Sequence, residues 1–159
     1  MIRIEKTCLL LSCLAMFGCG GMSSPRTTTG SWRAVMTSTA AQQGQQGEQA
    51  ILLVSLQQNG KVLNATVNSV AQESSCFSAS AVMGTSLKGQ VILPGGEAIA
   101  NLQLSGSLGS GAGSGTTLNM TGAMQSEANN AAGTFKLDPA PSGCPNSFGT
   151  FELTRVSMP

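Results

Sequence analysis

Apolar and polar residues alternate along much of the chain with a period of two. In the segment 117–124, one parity is apolar and the other polar: Leu118, Met120 and Met124 against Thr117, Asn119 and Thr121. The segment 63–68 repeats this pattern. Because successive side chains of a strand point to opposite faces, the alternation predicts antiparallel strands with one buried and one solvated face.

Turn residues divide the chain into short runs of strand-forming residues. The predicted strands are 31–38, 50–58, 61–70, 76–82, 87–93, 98–105, 116–124, 133–138 and 149–156. Asn59-Gly60 predicts a hairpin, since both residues tolerate positive φ, and Pro94-Gly95-Gly96 predicts another. The Gln/Gly-rich stretch 41–49 and the Gly/Ser-rich stretch 106–115 are expected to be loops. No helix of ordinary length is indicated.

This succession of short strands predicts an all-β fold. We expect an antiparallel up-and-down meander of about eight strands that closes as a small barrel, with a β-sandwich as the alternative. The candidate inward positions are of modest size: Ala34, Met36, Leu52, Val54, Ala65, Leu102, Leu118 and Met120. Small inward side chains leave room inside a barrel, whereas large ones fill it. The sequence is therefore compatible with a hollow interior and with a filled one.

The first eighteen residues have the parts of an export signal. Arg3 and Lys6 provide a positive start, and residues 7–17 form an apolar run too short to span a bilayer as a helix. The run ends at Gly18-Cys19-Gly20, which resembles the lipobox of bacterial lipoproteins, where a small residue precedes a lipid-carrying cysteine. The resemblance implies a signal peptide over 1–18, lipid on Cys19, a flexible tether over 19–29 and one domain over 30–159.

Two other processing schemes stay open. A competing lipobox ends at Cys13, but it leaves an apolar run of only about six residues, which is shorter than usual. An ordinary signal peptide cut elsewhere would leave Cys19 unmodified.

The lipobox resemblance also indicates the membrane. Gly20 in place of an aspartate implies the outer membrane. Three acyl chains such as palmitate would anchor the protein stably, since each buried methylene contributes about 0.8 kcal/mol. The implied partner is therefore a membrane.

The cysteines predict one disulfide bond. The chain has five cysteines, of which Cys8 and Cys13 lie in the leader and Cys19 would carry lipid. The remaining pair, Cys76 and Cys144, would be exported to an oxidising compartment, where a bridge closing so long a loop stabilises by about 2–4 kcal/mol. Two free thiols are the alternative. A metal site is not expected, because the chain has no histidine and two cysteines do not complete a zinc site.

Composition narrows the range of functions. Charged residues make up 9% of the chain, and beyond the leader six positive residues balance six negative ones. Without a basic patch, no nucleic-acid partner is expected. The absence of histidine removes the commonest general base and every Ser-His-Asp arrangement, and the acidic residues are dispersed. We therefore expect neither an enzyme nor a cofactor.

The two ends of the domain carry a second resemblance. Gly30-Ser31-Trp32 opens the first predicted strand and Arg155 lies in the last. This arrangement resembles the calycin group, the lipocalins and their relatives, in which a Gly-x-Trp on the first strand packs under a basic residue from the last. The resemblance implies that Trp32 plugs one end of a barrel beneath the Arg155 guanidinium, in a cation–π contact. Alternatively, Trp32 is simply a core residue and Arg155 a surface one.

Two functions follow from these patterns. The first is a membrane-anchored envelope lipoprotein that serves as a structural or interaction module and contacts other envelope proteins through its loops. The alternative is a lipocalin-like binding protein that holds a small apolar ligand in its barrel. A filled interior favours the first function, and a cavity favours the second.

Overall fold

The alternating segments form a closed antiparallel barrel. A computed structural model describes residues 27–39, 47–92, 99–109, 115–125 and 129–156. Within these ranges the chain forms eight strands and one short helix: β1 (Gly30–Ser38), β2 (Gln49–Asn59), β3 (Val62–Gln72), α1 (Ala79–Val82), β4 (Ser86–Ile92), β5 (Ile99–Ser107), β6 (Thr117–Gln125), β7 (Asn130–Asp138) and β8 (Phe148–Arg155). Each strand pairs with the next, and β8 pairs with β1. The predicted meander and its closure are confirmed, and a sandwich is not formed.

The up-and-down order gives the barrel two distinct ends. Odd-numbered strands begin, and even-numbered strands end, at what we name the tryptophan end, because Trp32 lies there near the start of β1. The opposite end holds the connections β1–β2, β3–β4, β5–β6 and β7–β8, and we name it the disulfide end. Among the described residues, no helix combines the length and the hydrophobicity needed to cross a membrane.

Burial follows the parity that the sequence predicts. All eight candidate inward residues are buried, and the alternate positions on the same strands are mostly exposed. The β2–β3 hairpin is also present, but its two connecting residues are Gly60 and Lys61, because Asn59 still pairs with Val62. Gly60 adopts a φ of 59°, which a glycine reaches without steric cost. The turn therefore lies one residue later than predicted, while the buried faces of both strands are as expected.

The predicted strand 76–82 is wrong. Cys76 and Phe77 lie in an irregular connection, and the residues after Ser78 form the single turn of α1. Alanine is the best helix former, and a carboxylate oxygen of Glu73 accepts a hydrogen bond of 2.7 Å from the free N–H of Ala79 at the helix start. Without this segment the barrel has eight strands, not nine.

The predicted glycine-rich loop 106–115 begins too early in the sequence. Strand β5 continues through Ser107, and Leu108 is buried. Strand β7 begins at Asn130, three residues before its predicted start. Residues 110–114 lie outside the described part, as do 41–46 of the predicted loop 41–49 and the Pro94-Gly95-Gly96 turn.

Aromatic rings placed against glycines fill the barrel interior. Phe151 pairs with Gly133 across β7 and β8, and Gly133 pairs with Gly122 across β6 and β7. A Cβ added at Gly133 or Gly122 would lie 2.9 or 2.8 Å from the Phe151 ring. In the same way, a Cβ at Gly149 would lie 2.8 Å from the Phe135 ring. The missing side chains of the glycines therefore give the rings the space that they occupy.

Candidate functional site

The tryptophan end is built around Trp32 and Arg155. The two residues are direct cross-strand partners in the β1–β8 pair that closes the barrel, so their side chains project to the same side of the sheet. Trp32 is completely buried, and the guanidinium carbon of Arg155 lies 5.5 Å from the centre of the indole ring. This distance is within the range of a cation–π contact. The contact predicted from the sequence is present.

The three residues before β1 complete this end, and we name Thr27, Thr28 and Thr29 the threonine strap. The Nη2 atom of Arg155 donates to the carbonyl oxygens of Thr27 at 2.8 Å and Thr29 at 2.6 Å. The indole Nε1 of Trp32 donates to the carbonyl oxygen of Thr28 at 2.9 Å. One arginine and one tryptophan therefore bind all three carbonyl groups of the strap.

A glutamine on β2 holds the other side of the strap. The side-chain oxygen of Gln58 accepts hydrogen bonds from the backbone N–H and the hydroxyl of Thr28, both at 2.9 Å. The backbone N–H of Gln58 donates in turn to the hydroxyl of Thr29 at 2.9 Å. The strap is thus fastened to β8 on one side and β2 on the other. The predicted tether 19–29 includes these three threonines, and the structure pairs their polar groups with β2 and β8.

Gly30 allows the strap to pass directly into β1. It has a φ of 148°, which residues with a side chain rarely adopt. A Cβ at this position would lie 3.5 Å from Nη2 of Arg155. The glycine of the Gly-x-Trp pattern is therefore needed for its backbone conformation, since a Cβ at this distance would make only ordinary van der Waals contact with the guanidinium.

The disulfide end is closed by covalent and aromatic contacts. Cys76 and Cys144 form a disulfide bond that joins the β3–β4 and β7–β8 connections, which confirms the predicted bridge. Next to it, Phe77 is completely buried and meets Phe135 edge to face, with ring centres 5.2 Å apart. Ala81 and Val82 of α1 are buried as well. The adjacent apolar pairs Cys76-Phe77 and Ala81-Val82 do not fit the alternation of a strand, and the strand prediction overlooked this signal.

A carboxylate adds a polar contact to the disulfide end. Glu48, just before β2, accepts hydrogen bonds from the hydroxyl and the backbone N–H of Ser75. These two bonds, the hydroxyl first, hold the pKa of Glu48 below its usual value, because both favour the charged carboxylate. The pair connects the β1–β2 connection to the residue beside the disulfide.

The ionisable groups do not assemble a reactive centre in the described part of the chain. No group of three or more histidine, cysteine or acidic side chains there is placed to bind a metal ion. Lys136 and Asp138 form an exposed ion pair with a nitrogen–oxygen distance of 3.4 Å. Such a pair contributes little free energy because water screens it. Cys19, the predicted lipidation site, lies outside the described residues.

Fold and site together define a small eight-stranded antiparallel barrel, with Trp32 buried near one end and Phe77 near the other. In comparisons with known proteins, no family model, no curated protein and no solved structure matches the chain significantly.

Proposed function

We propose that this chain is a lipid-anchored protein of the bacterial envelope, and that its barrel is a structural or interaction module rather than a container for a ligand. The observation that carries the proposal is the filled interior. The eight inward positions that the sequence predicts each expose 6% or less of their surface. A ligand-sized cavity would leave room for water beside the side chains that line it. The interaction surface is therefore the outside of the barrel.

The way in which the interior is filled supports the same conclusion. Phe151 is 1% exposed and lies over two glycines on neighbouring strands, Gly122 and Gly133. Rings packed against glycines leave no empty layer between opposite walls of a small barrel. Trp32 and Phe77, one near each end, are completely buried as well. A lipocalin-like ligand would need a free volume between the strands, and these rings occupy part of it.

The start of the domain supports anchoring through its N-terminal segment. The threonine strap is tied to β2 and β8, so a pull on the chain before Thr27 is transmitted to both strands rather than to a loose end. The lipobox resemblance places the lipid on Cys19, eight residues before Thr27. The proposal assigns no catalytic residue and no cofactor to this protein.

Xenon uptake tests whether the interior is filled. Xenon enters apolar cavities, and methyl NMR reports its arrival at inward side chains such as Leu102 and Leu118. We expect no xenon-dependent shifts in the parent protein and clear shifts in Phe151→Ala, because removing the ring opens a cavity beside Gly122 and Gly133. Shifts of inward methyl groups in the parent would contradict a filled barrel and support the ligand-binding alternative.

Fractionation of cells tests the anchor. Cys19→Ala should release the domain from the membrane into the soluble fraction, because no lipid can then be attached. Cys13→Ala is the matched control and should leave the protein in the membrane, since the leader is removed with that residue. Release by Cys13→Ala, or membrane retention of Cys19→Ala, would contradict lipidation at Cys19.

A further inference from the structure

The N-terminal segment reaches the barrel at the tryptophan end, and this fixes which end is nearer to the anchor. The threonine strap belongs to the folded domain, so the part of the tether between it and Cys19 is the seven residues 20–26. Seven residues span at most about 23–25 Å when fully extended. The root-mean-square length of a random chain of seven residues is roughly 13–16 Å. The point of attachment is therefore held close to the surface that contains the lipid.

The barrel is too long for its other end to approach that surface easily. Strands of nine residues, tilted as in small barrels, give a height of about 21–24 Å between the ends. Contact of the disulfide end with the membrane would raise Thr27 by this height and require a tether stretched to its limit. A tether stretched to its limit loses conformational entropy, and the tryptophan end can face the membrane without this loss.

Exposed apolar side chains surround the tryptophan end. Val62 is the first residue of β3 and is 54% exposed, Ile99 is the first residue of β5 and is 52% exposed, and Val156 directly follows β8 and is 40% exposed. We name these three residues the apolar rim. Lys61, in the turn beside Val62, is exposed as well. Apolar side chains next to a lysine suit the boundary between headgroups and acyl chains, where the lysine stem extends toward the polar side.

The disulfide end has a different surface. Met83 and Phe148 are each 54% exposed there, but the same end carries the carboxylates of Glu48 and Glu73, and that of Asp138, which is paired with Lys136. Carboxylates are repelled by anionic lipids and lose hydration at an interface. By sequence, the β4–β5 and β6–β7 connections of the tryptophan end also contain acidic residues, Glu97 and Glu127. The apolar rim and the point of chain attachment, rather than net charge, therefore distinguish the two ends.

We infer that the tryptophan end rests on the membrane, with the apolar rim in contact with the headgroup region, while the disulfide end points away toward soluble partners. This orientation rests on the proposed lipid at Cys19, since without an anchor the short tether imposes nothing. It makes the tryptophan end a membrane-contact surface in addition to a closed end of the barrel.

Single labels on the lipidated full-length protein test the orientation. After export, lipidation and disulfide formation no free thiol remains, so Val62→Cys, Ile99→Cys and Met83→Cys each introduce one reactive site. Met83 is the matched control because its exposure, 54%, equals that of Val62. Each variant carries a bimane label and is reconstituted into phosphatidylethanolamine–phosphatidylglycerol vesicles, with and without a lipid bearing a nitroxide on its headgroup. A non-reducing peptide map first verifies the Cys76–Cys144 bridge in each variant.

We expect nitroxide lipid to quench the labels at positions 62 and 99 and to leave the label at 83 bright. The emission at 62 and 99 should also shift to shorter wavelengths on reconstitution. Equal quenching at all three positions, or stronger quenching at 83, would overturn the orientation. Flotation of the Cys19→Ala chain with the same vesicles separates failure of the proposed anchor from failure of the proposed orientation. If this variant floats as well as the parent, the proposed lipid anchor at Cys19 is wrong. If only the parent floats but 62 and 99 stay unquenched, the anchor stands and the orientation is wrong.

Discussion

The two ends of the barrel are closed by different kinds of interaction. At the tryptophan end, Arg155 and Trp32 bind the carbonyl groups of the threonine strap, and one cation–π contact joins them. At the disulfide end, the Cys76–Cys144 bond ties two connections together over Phe77. The first closure depends on the geometry of particular donor and acceptor groups, whereas the second is covalent.

This difference indicates how each end responds to change. The strap offers three carbonyl groups in a fixed arrangement, and they accept hydrogen bonds from one nitrogen of the guanidinium that lies over the indole and from the indole N–H itself. The connections at the disulfide end need only remain close to each other, because the bond limits their separation in every state of the chain. We therefore expect the tryptophan end to be sensitive to substitution and the disulfide end to be sensitive to reduction.

Trp32→Ala should produce the largest effect. It removes a completely buried ring, its hydrogen bond to the strap and the surface on which Arg155 lies. We expect a loss of about 3–5 kcal/mol in the free energy of unfolding, measured by urea denaturation. Ser31→Ala, on the outward position next to it, should change stability by no more than about 0.5 kcal/mol. A loss below about 1 kcal/mol for Trp32→Ala would contradict its role in closing the barrel.

Removal of the disulfide should rank second. The bridge spans 68 residues, and replacing both Cys76 and Cys144 by alanine should lower the free energy of unfolding by about 2–4 kcal/mol. Reductant should destabilise the parent by a similar amount and leave the double variant unchanged. If reductant alters neither protein, the bridge contributes nothing to the disulfide end.

Substitutions of Arg155 test whether its positive charge or the shape of its guanidinium stabilises the tryptophan end. Arg155→Lys keeps the positive charge but replaces the flat guanidinium that lies over the indole by a compact ammonium group on a shorter stem, so we expect a loss of about 1 kcal/mol, and about 2 kcal/mol for Arg155→Met. Amide hydrogen exchange should accelerate at Thr28 and Gln58, whose N–H groups bond within the strap contacts, and should not change beside Cys76. Equal stability of the lysine variant and the parent would show that charge alone is sufficient.

Replacing Glu48 by glutamine should produce the smallest effect, which is a change in how stability depends on pH. Its pKa is lower in the folded state than in the unfolded chain, because the Ser75 hydroxyl and N–H bind the carboxylate. The stability that it contributes is therefore present above the unfolded pKa and is lost as the pH falls through the folded value. Acidification should lower the melting temperature of the parent slightly more than that of Glu48→Gln. An identical acid response of the two proteins would contradict a stabilising Glu48–Ser75 contact.

Much of the barrel could be predicted from the parity of apolar residues. Leu63, Ala65 and Val67 are buried as their alternation requires, since a strand leaves only two faces to choose between. The pairing of Cys76 with Cys144 followed from counting, because no other cysteine remained in the domain.

The parts that escaped prediction depend on contacts distant in sequence. No residue near Thr28 in the sequence indicates its hydrogen bond to Gln58, which lies thirty residues later. The sequence therefore predicts a tether where the structure has the strap. The segment around Phe77 contains enough apolar residues for a strand, and only its position over the barrel end makes a turn of helix the better way to bury them. Both misjudged segments cover an end of the barrel, where strand periodicity gives no information.

The mass of the N-terminal peptide tests the central proposal most directly. The protein is extracted from membranes with detergent, digested and analysed by mass spectrometry. We predict that the first residue is Cys19 and that this residue carries three acyl chains. An unmodified N-terminus, or one that begins at another residue, would contradict the lipid-anchored barrel that we propose.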